Sequence, residues 1–282
     1  MSKKVWIITG ASRGMGTEFV KAALAEGHQV VATGRDINKL IKSTKTIGDN
    51  ENLLIAKLDV TNPLDATEVI KLTLDRFGKI DVLLNNAGNF FGGFFEELTQ
   101  QQIEKQIETN LYGPMNVTRA ILPVMRAART GHIISISSLA GLVGFEYNAA
   151  YNASKFALEG WMEALHHDIA PFGIKTTIVE PGFFRTGFLD PESRTLAEPT
   201  INDYAKRNEH YQNFWKEMNG TQEGDPGKLA KGLLEITNQD NPPIRWIAGA
   251  DAIGGAEQKV HDLQEQIKAY RELSISLSLN DE

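Results

Sequence analysis

Short apolar runs alternate strictly with amphipathic stretches along the first 180 residues or so, and few folds accommodate that order. The runs fall at 5–8, 29–33, 53–58, 80–84, 132–136 and 174–179, each about four to six residues long, as buried strands are. Helical patterns separate them. Phe19, Val20, Ala23 and Leu24 form one stripe, closed by Gly27. Further helices are predicted over 36–47, from Pro63 to 77, over 99–128 with a bend near Gly113-Pro114, and over 150–170. Pro63 suits a first helical turn, where its missing N–H has no intrahelical partner to lose. Strand–helix–strand units of this kind wind right-handed around a parallel sheet, so the pattern predicts a doubly wound α/β fold. Such sheets bind ligands at the carboxyl ends of their strands.

Beyond residue 182 the rhythm changes. Residues 183–225 read as a long insertion with helical pieces, rich in aromatics that include Phe183, Phe184, Phe188, Tyr204, Tyr211, Phe214 and Trp215. A helix near 226–238 and a strand at 245–248 restore the pattern, and an amphipathic helix over 255–273 precedes a polar tail. No linker divides the chain, so a single domain over 1–282 is expected, with 183–225 as a substrate lid and 250–282 as a C-terminal extension.

Composition narrows the function classes. A chain of 282 residues, 41% hydrophobic and 23% charged, can bury a sizeable core, and it carries no internal repeat. Its net charge of −7 gives no general attraction to nucleic acid or anionic membrane. The absence of cysteine excludes disulfides, thiolate metal sites and thiol nucleophiles, and no metal site is predicted. Only a short apolar run separates Lys3-Lys4 from Thr9-Gly10, too little for a secretory signal, and no apolar run approaches the roughly 18 residues that span a bilayer. A soluble, cytoplasmic protein is expected.

The first strand ends in Thr9-Gly-Ala-Ser-Arg-Gly-Met-Gly16, which opens a helix. Backbone N–H groups and the helix dipole favour an anion there, and Gly10, Gly14 and Gly16 allow a pyrophosphate to approach. The spacing Gly-x-x-x-Gly-x-Gly is a modified form of the usual dinucleotide turn. After the second strand, Gly34 and Arg35 stand where a ribose-binding carboxylate is common, and Arg13 lies inside the glycine turn. Two guanidinium groups at the adenosine end suit a 2′-phosphate, which favours NADP(H) over NAD(H). Asp36 is the competing candidate and would face the ribose instead.

Tyr151 and Lys155 are four residues apart on a predicted helix and share a face, with Ser138 thirteen residues upstream of the tyrosine. At roughly 6 Å and an effective dielectric of about 20, one cation stabilises a phenolate by about 2–3 kcal/mol. The pair therefore predicts a tyrosine brought down by about two pH units toward acid–base use.

With these motifs in place, the chain resembles the short-chain dehydrogenase/reductase family. The resemblance rests on Thr9–Gly16, Asp59, Asn85-Asn-Ala-Gly88, Asn110, Ser138, Tyr151-x-x-x-Lys155 and Pro181-Gly182 with Thr186, in family order over roughly 4–190. It implies a Rossmann-type, seven-stranded parallel sheet flanked by helices, and hydride exchange between a nicotinamide and a carbonyl or alcohol. By resemblance Tyr151 is the general acid or base, Lys155 lowers its pKa and holds the nicotinamide ribose, Ser138 polarises the carbonyl, and Asn110 holds a relay water. Ser137 is excluded as the polarising serine by the family's spacing. The cofactor contacts implied are Gly10, Ser12, Arg13, Gly14, Met15, Gly16, Arg35, Asp59, Val60, Asn86, Ala87, Gly88, Pro181, Gly182, Phe184 and Thr186, besides Tyr151 and Lys155. Family members usually assemble through two long crossover helices, which implies a homodimer or homotetramer.

Substrate choice falls to aromatic segments. Phe90 and Phe94 leave the fourth strand, Phe183 and Phe188 follow Pro181-Gly182, and Val143, Phe145 and Tyr147 lie between Ser138 and Tyr151. These predict an apolar or aromatic ketone or aldehyde as the small-molecule partner, and the glycines between the phenylalanine pairs suit a mobile lid. The leading expectation is an NADPH-dependent carbonyl reductase that also runs as an alcohol dehydrogenase. An NAD-linked hydroxysteroid- or retinol-type dehydrogenase is the second, and a non-catalytic NADP-sensing or scaffold protein the third.

Overall fold

The computed structural model describes residues 3–48, 50–190 and 193–279; positions 191–192 of the expected lid and 280–282 of the expected extension lie outside them. In chain order the elements are β1 (Val5–Ile8), α1 (Gly14–Ala25), β2 (Gln29–Gly34), α2 (Ile37–Thr44), β3 (Leu53–Lys57), α3 (Pro63–Phe77) and β4 (Val82–Asn85). There follow β5 (Phe90–Gly92), α4 (Gln100–Ile107), α5 (Gly113–Ala128), β6 (Gly131–Ile136), α6 (Ala149–Ile169) and β7 (Ile174–Pro181). The chain continues through β8 (Arg194–Leu196), α7 (Ala205–Met218), α8 (Pro226–Thr237), β9 (Arg245–Ala248) and α9 (Ala250–Ile275).

Seven strands form one parallel sheet in the order β3-β2-β1-β4-β6-β7-β9. The winding direction reverses between β1 and β4, and the crevice at that reversal is where such sheets take ligands. Successive side chains point to opposite faces, so both faces acquire a core. Trp6, Ile8, Leu84 and Ile134 pack under α1 and α8, whereas Ile7, Leu83 and Ile133 pack under α3, α5 and α6. Burial on both sides explains why the strands read as continuous apolar runs.

The bend expected near Gly113-Pro114 lies just upstream. Residues Glu108–Tyr112 form a π-helical turn between α4 and α5, and Pro114, which has no N–H to donate back into that turn, follows it at the start of α5. Helix α9 is longer than the pattern predicted and begins directly after β9. The insertion contains α7 as expected and also β8, which pairs in parallel with β5. Phe90–Gly92, read above as suiting a mobile lid, is a paired strand here; Ala197 N–H donates to the Gly92 carbonyl at 2.7 Å and Gly93 N–H to that of Tyr147 at 2.8 Å. Among the described residues no helix is long and apolar enough to cross a membrane.

Candidate active site

Six neighbouring strands, β3, β2, β1, β4, β6 and β7, carry predicted residues beyond their carboxyl ends, and α6 carries Tyr151 and Lys155. After β1, Gly10 and Gly14 adopt left-handed φ, and Gly16 lies so close to the Gly10 carbonyl and Asn86 amide that a Cβ would collide with both. Asn86 donates to the carbonyls of Thr9 (2.9 Å) and Gly10 (3.1 Å), and Thr9 Oγ1 accepts from the N–H groups of Asn86 and Ala87. These bonds brace the glycine turn against the end of β4. The N-cap of α1, Arg13, makes no side-chain cap and its first turn has no carboxylate. The dipole end is thus left for an external anion, as a dinucleotide pyrophosphate requires. Thr186 leans over Gly14, and Met15 packs on the core below.

At the adenosine end, Ala11 N–H donates to the Thr33 carbonyl at 2.8 Å and Ser12 lies against Gly34; Arg13 and Arg35, the residues that follow on the two strands' turns, are both exposed. Arg13 also donates to the Ser193 hydroxyl. Asp36 is occupied elsewhere: its carboxylate caps α2 by accepting from Asn38 N–H (3.0 Å) and Lys39 N–H (3.1 Å). Asp59 accepts from Thr61 N–H (3.0 Å) through one oxygen, which stabilises the turn after β3, and Val60 is buried beside it. Gly88 faces the Asn110 carboxamide.

Helix α6 carries Tyr151 and Lys155 on one face, and β6 runs out into Ser138. The Lys155 ammonium donates to the Ile136 carbonyl at 2.8 Å and stands 5.7 Å from the Tyr151 ring centroid. Burial pushes the lysine down to about 8, against the upward pull of Glu159. The tyrosine departs from its expected direction. Burial pushes its phenol up to about 12, and the neighbouring Ser138 hydroxyl only partly offsets this. The charge of Lys155, tethered to the end of β6, does not outweigh that burial. At neutral pH the phenol is therefore protonated, the form that donates a proton to a nascent alkoxide. Ser138 Oγ accepts from Ala140 N–H at 3.1 Å, while Ser137 turns away and donates to Glu159 at 2.6 Å. Asn110 sits in the π-helical turn with its carboxamide bonded to both backbone groups of Asn89 and to Ser154.

Of the predicted substrate wall, Phe90 and Phe188 stand at Tyr151, with ring centroids at 5.2 and 6.4 Å. Phe94 and Tyr147 lie one layer away instead, because the insertion supplies them with closer partners: Phe94 stacks on Tyr204 and Tyr147 on Tyr211. Phe145 and Phe183 are exposed, and the Val143 carbonyl accepts from Asn152. Phe184 packs on the core and bridges to Gly224; Pro181 ends β7; Gly182 lies against Asp251.

Several residues escaped the sequence reading. Trp215 of α7, read above only as one of the insertion's aromatics, stacks edge-on against Phe90 and closes the aromatic wall. Asn152 donates to the carbonyls of Ala140 and Val143 and accepts from Phe145 N–H, which staples the Ser138 loop to the tyrosine's helix. Glu97 clamps the insertion by accepting from Thr200, Ile201 and Asn208; burial would raise its pKa, but these donors outweigh it and hold the carboxyl below its usual range. Beneath the site, Arg245 of β9 reaches Glu159 (2.6 Å) and Glu163 (2.7 Å) of α6, and Glu180 of β7. Burial, reinforced by the charge of Glu159, pushes Glu180 up to about 7. Gly141 leaves room for Glu159, since a Cβ there would strike its carboxylate. Glu159 lies four residues beyond Lys155, so the helical spacing held a signal for it.

Comparison with known proteins agrees with this arrangement. The family model for short chain dehydrogenases matches residues 4–197. A 3-ketodihydrosphingosine reductase from Bacteroides thetaiotaomicron is 37% identical over 258 residues, covering 88% of this chain and 89% of its own. Oxidoreductase BOA17 of Botryotinia fuckeliana is 33% identical over 274 residues, covering 97% and 98%. The crystal structure of a short-chain dehydrogenase from Streptomyces avermitilis superposes with a TM-score of 0.88 at 33% identity, over 99% of this chain and 100% of that one.

Proposed function

The chain belongs to the short-chain dehydrogenase/reductase family, and from that premise we propose that it is an NADPH-dependent carbonyl reductase acting on an apolar or aromatic ketone or aldehyde. The observation that carries this reading is a buried Tyr151 phenol beside the Ser138 hydroxyl, walled by Phe90 and Phe188. When bound, the nicotinamide supplies the hydride that reduces the carbonyl carbon. Ser138 donates to the carbonyl oxygen and holds it at Tyr151, whose O–H bond breaks as its proton passes to that oxygen. Lys155 keeps a positive charge behind the phenol as phenolate character develops, which favours the transition state over the ground state. Asn110 ties the loop after β4 to α6 through Asn89 and Ser154. The Bacteroides relative is named for reducing a keto compound, which supports reduction as the favoured direction. A screen of apolar and aromatic ketones, with 3-ketodihydrosphingosine included and both cofactors offered, tests the reading. No turnover across that screen would favour a sensing or scaffold role.

NADP(H) is supported by the two exposed guanidinium side chains that follow β1 and β2, Arg13 and Arg35, while Asp36 is spent on capping α2. A charge-assisted contact contributes about 1.5–3 kcal/mol, so Arg35→Asp should move the NADPH-to-NADH ratio of kcat/KM toward NADH by about 10–100-fold. An unchanged ratio would refute the phosphate role and favour the NAD-linked reading.

The pH profile offers a separate check. Lys155 is held down at about 8, so its ammonium, and with it the reduction rate, is lost as pH rises through that value, whereas Tyr151 stays protonated to about 12. Lys155→Arg, cationic throughout, should shift the alkaline limb of kcat/KM upward. A limb left in place by this substitution would belong to another group.

A further inference from the structure

Helix α9 is attached to the body only by its first turns. Ala252 and Ala256 are buried, Gly255 packs on Leu139, and the Asp251 carboxylate accepts from Phe183 N–H at 2.7 Å. From Val260 onward every described residue is exposed, so the helix projects about 24 Å between Val260 and Ile275. A free helix of that length is marginal in water unless its apolar face is covered.

That face has a strict period. Ile253, Ala256, Val260, Leu263, Ile267, Tyr270 and Ser274 alternate three- and four-residue steps, the spacing of a two-stranded coiled-coil seam, and Leu277 continues it in the turn after α9. Ile253, Val260, Leu263, Ile267, Tyr270 and Leu277 are all between 43% and 79% exposed, a contiguous apolar stripe of the kind that marks an interaction surface. Its charge argues against a lipid surface, since α9 carries five carboxylates against three Lys and Arg side chains and has no basic flank.

We propose that this face is a homotypic interface, in which two copies of the chain pair antiparallel through α9 about a two-fold axis near residue 265. In that register Val260 meets Tyr270 of the second copy and Leu263 meets Ile267, each pair occurring twice, while Ile253 falls opposite the turn that follows α9 and carries Leu277. Ser274, the one polar residue of the seam, falls opposite Ala256, the one seam residue that the body already covers. Glu257 flanks Arg271 of the second copy on both sides of the axis, so the charges complement the seam. A parallel pairing sets Ser274 against itself and leaves Glu257 and Arg271 far apart. The antiparallel arrangement also carries the two bodies to opposite ends of the coil.

The test is the mass of the full chain by analytical ultracentrifugation. Leu263→Asp/Ile267→Asp should halve the mass of the wild-type assembly while near-ultraviolet circular dichroism stays native. Glu257→Arg and Arg271→Glu should each weaken self-association about tenfold, and the double exchange should restore it. An unchanged mass in the aspartate variant, or a wild-type chain that is monomeric, overturns the interface. Single charge variants that weaken assembly without rescue by the double overturn the antiparallel register. A wild-type monomer that floats with phosphatidylcholine vesicles, and fails to when the two aspartates are present, would assign the face to lipid and overturn the proposal as well.

Discussion

Tyr151→Phe is expected to lower kcat/KM for carbonyl reduction by about 10²–10⁴-fold, the usual contribution of a positioned general acid. The substitution removes one hydroxyl and leaves the ring between Phe90 and Phe188, so the aromatic wall and the fold should survive. No nearby group is placed to substitute for it. Ser137 is engaged with Glu159, the Tyr147 ring is stacked on Tyr211 one layer away, and the Lys155 ammonium points to the Ile136 carbonyl. Cofactor binding, followed by fluorescence titration of NADPH, should change little because the glycine turn and its arginines are untouched. Steady-state rates of the variant with a reactive ketone decide the matter: turnover within tenfold of wild type would remove Tyr151 from the proton-transfer step.

Arg245→Met is expected to destabilise the protein by about 3 kcal/mol, near the lower end for breaking a buried ion pair because the arginine itself is partly exposed. At 2–4 °C per kcal/mol for a chain of this size, the melting temperature should fall by about 6–12 °C. The cause is the two carboxylates left behind, since Glu159 and Glu180 are buried and Arg245 is their shared cation. The effect depends on pH in a definite sense. Both carboxyls already have pKa values raised above the unfolded value by burial, so the folded state binds more protons than the unfolded one. Stability from this pair therefore falls as pH rises from about 4.5 through about 7, and without Arg245 the fall should be steeper. Calorimetry at pH 6 and pH 8 should show the larger loss at pH 8, and Glu180→Gln should recover part of it. Equal losses at the two pH values would mean that the arginine acts through packing alone. Activity gives a second readout, because the same cluster anchors the helix of Lys155, the strand before Gly182 and, through Ser137 and Glu159, the loop of Ser138.

Much of the site was readable because its chemistry is local. Gly10, Gly14 and Gly16 share one turn, and Tyr151 and Lys155 share one helical face, so sequence spacing alone brings each set together. The sheet was readable for a related reason, since strands buried on both faces leave continuous apolar runs. The pairing of Phe90 with Arg194 was not, because no local pattern joins two three-residue strands a hundred positions apart. Asn152 was overlooked between two catalytic candidates, since a carboxamide reveals its partners only when the loop over it is folded.

What the sequence determined by itself was the doubly wound sheet, the glycine turn and the shared face of Tyr151 and Lys155, all set by short-range periodicity and spacing, while the choice of Ser138 to complete the constellation came from the family resemblance. Tertiary structure alone decided the state of that constellation. Proximity along α6 suggested a tyrosine brought down by its lysine; in the folded chain the phenol is desolvated and the ammonium is held at the Ile136 carbonyl. Desolvation depends on everything packed around a group, including Phe188 from a distant insertion, and no spacing within one helix reports it.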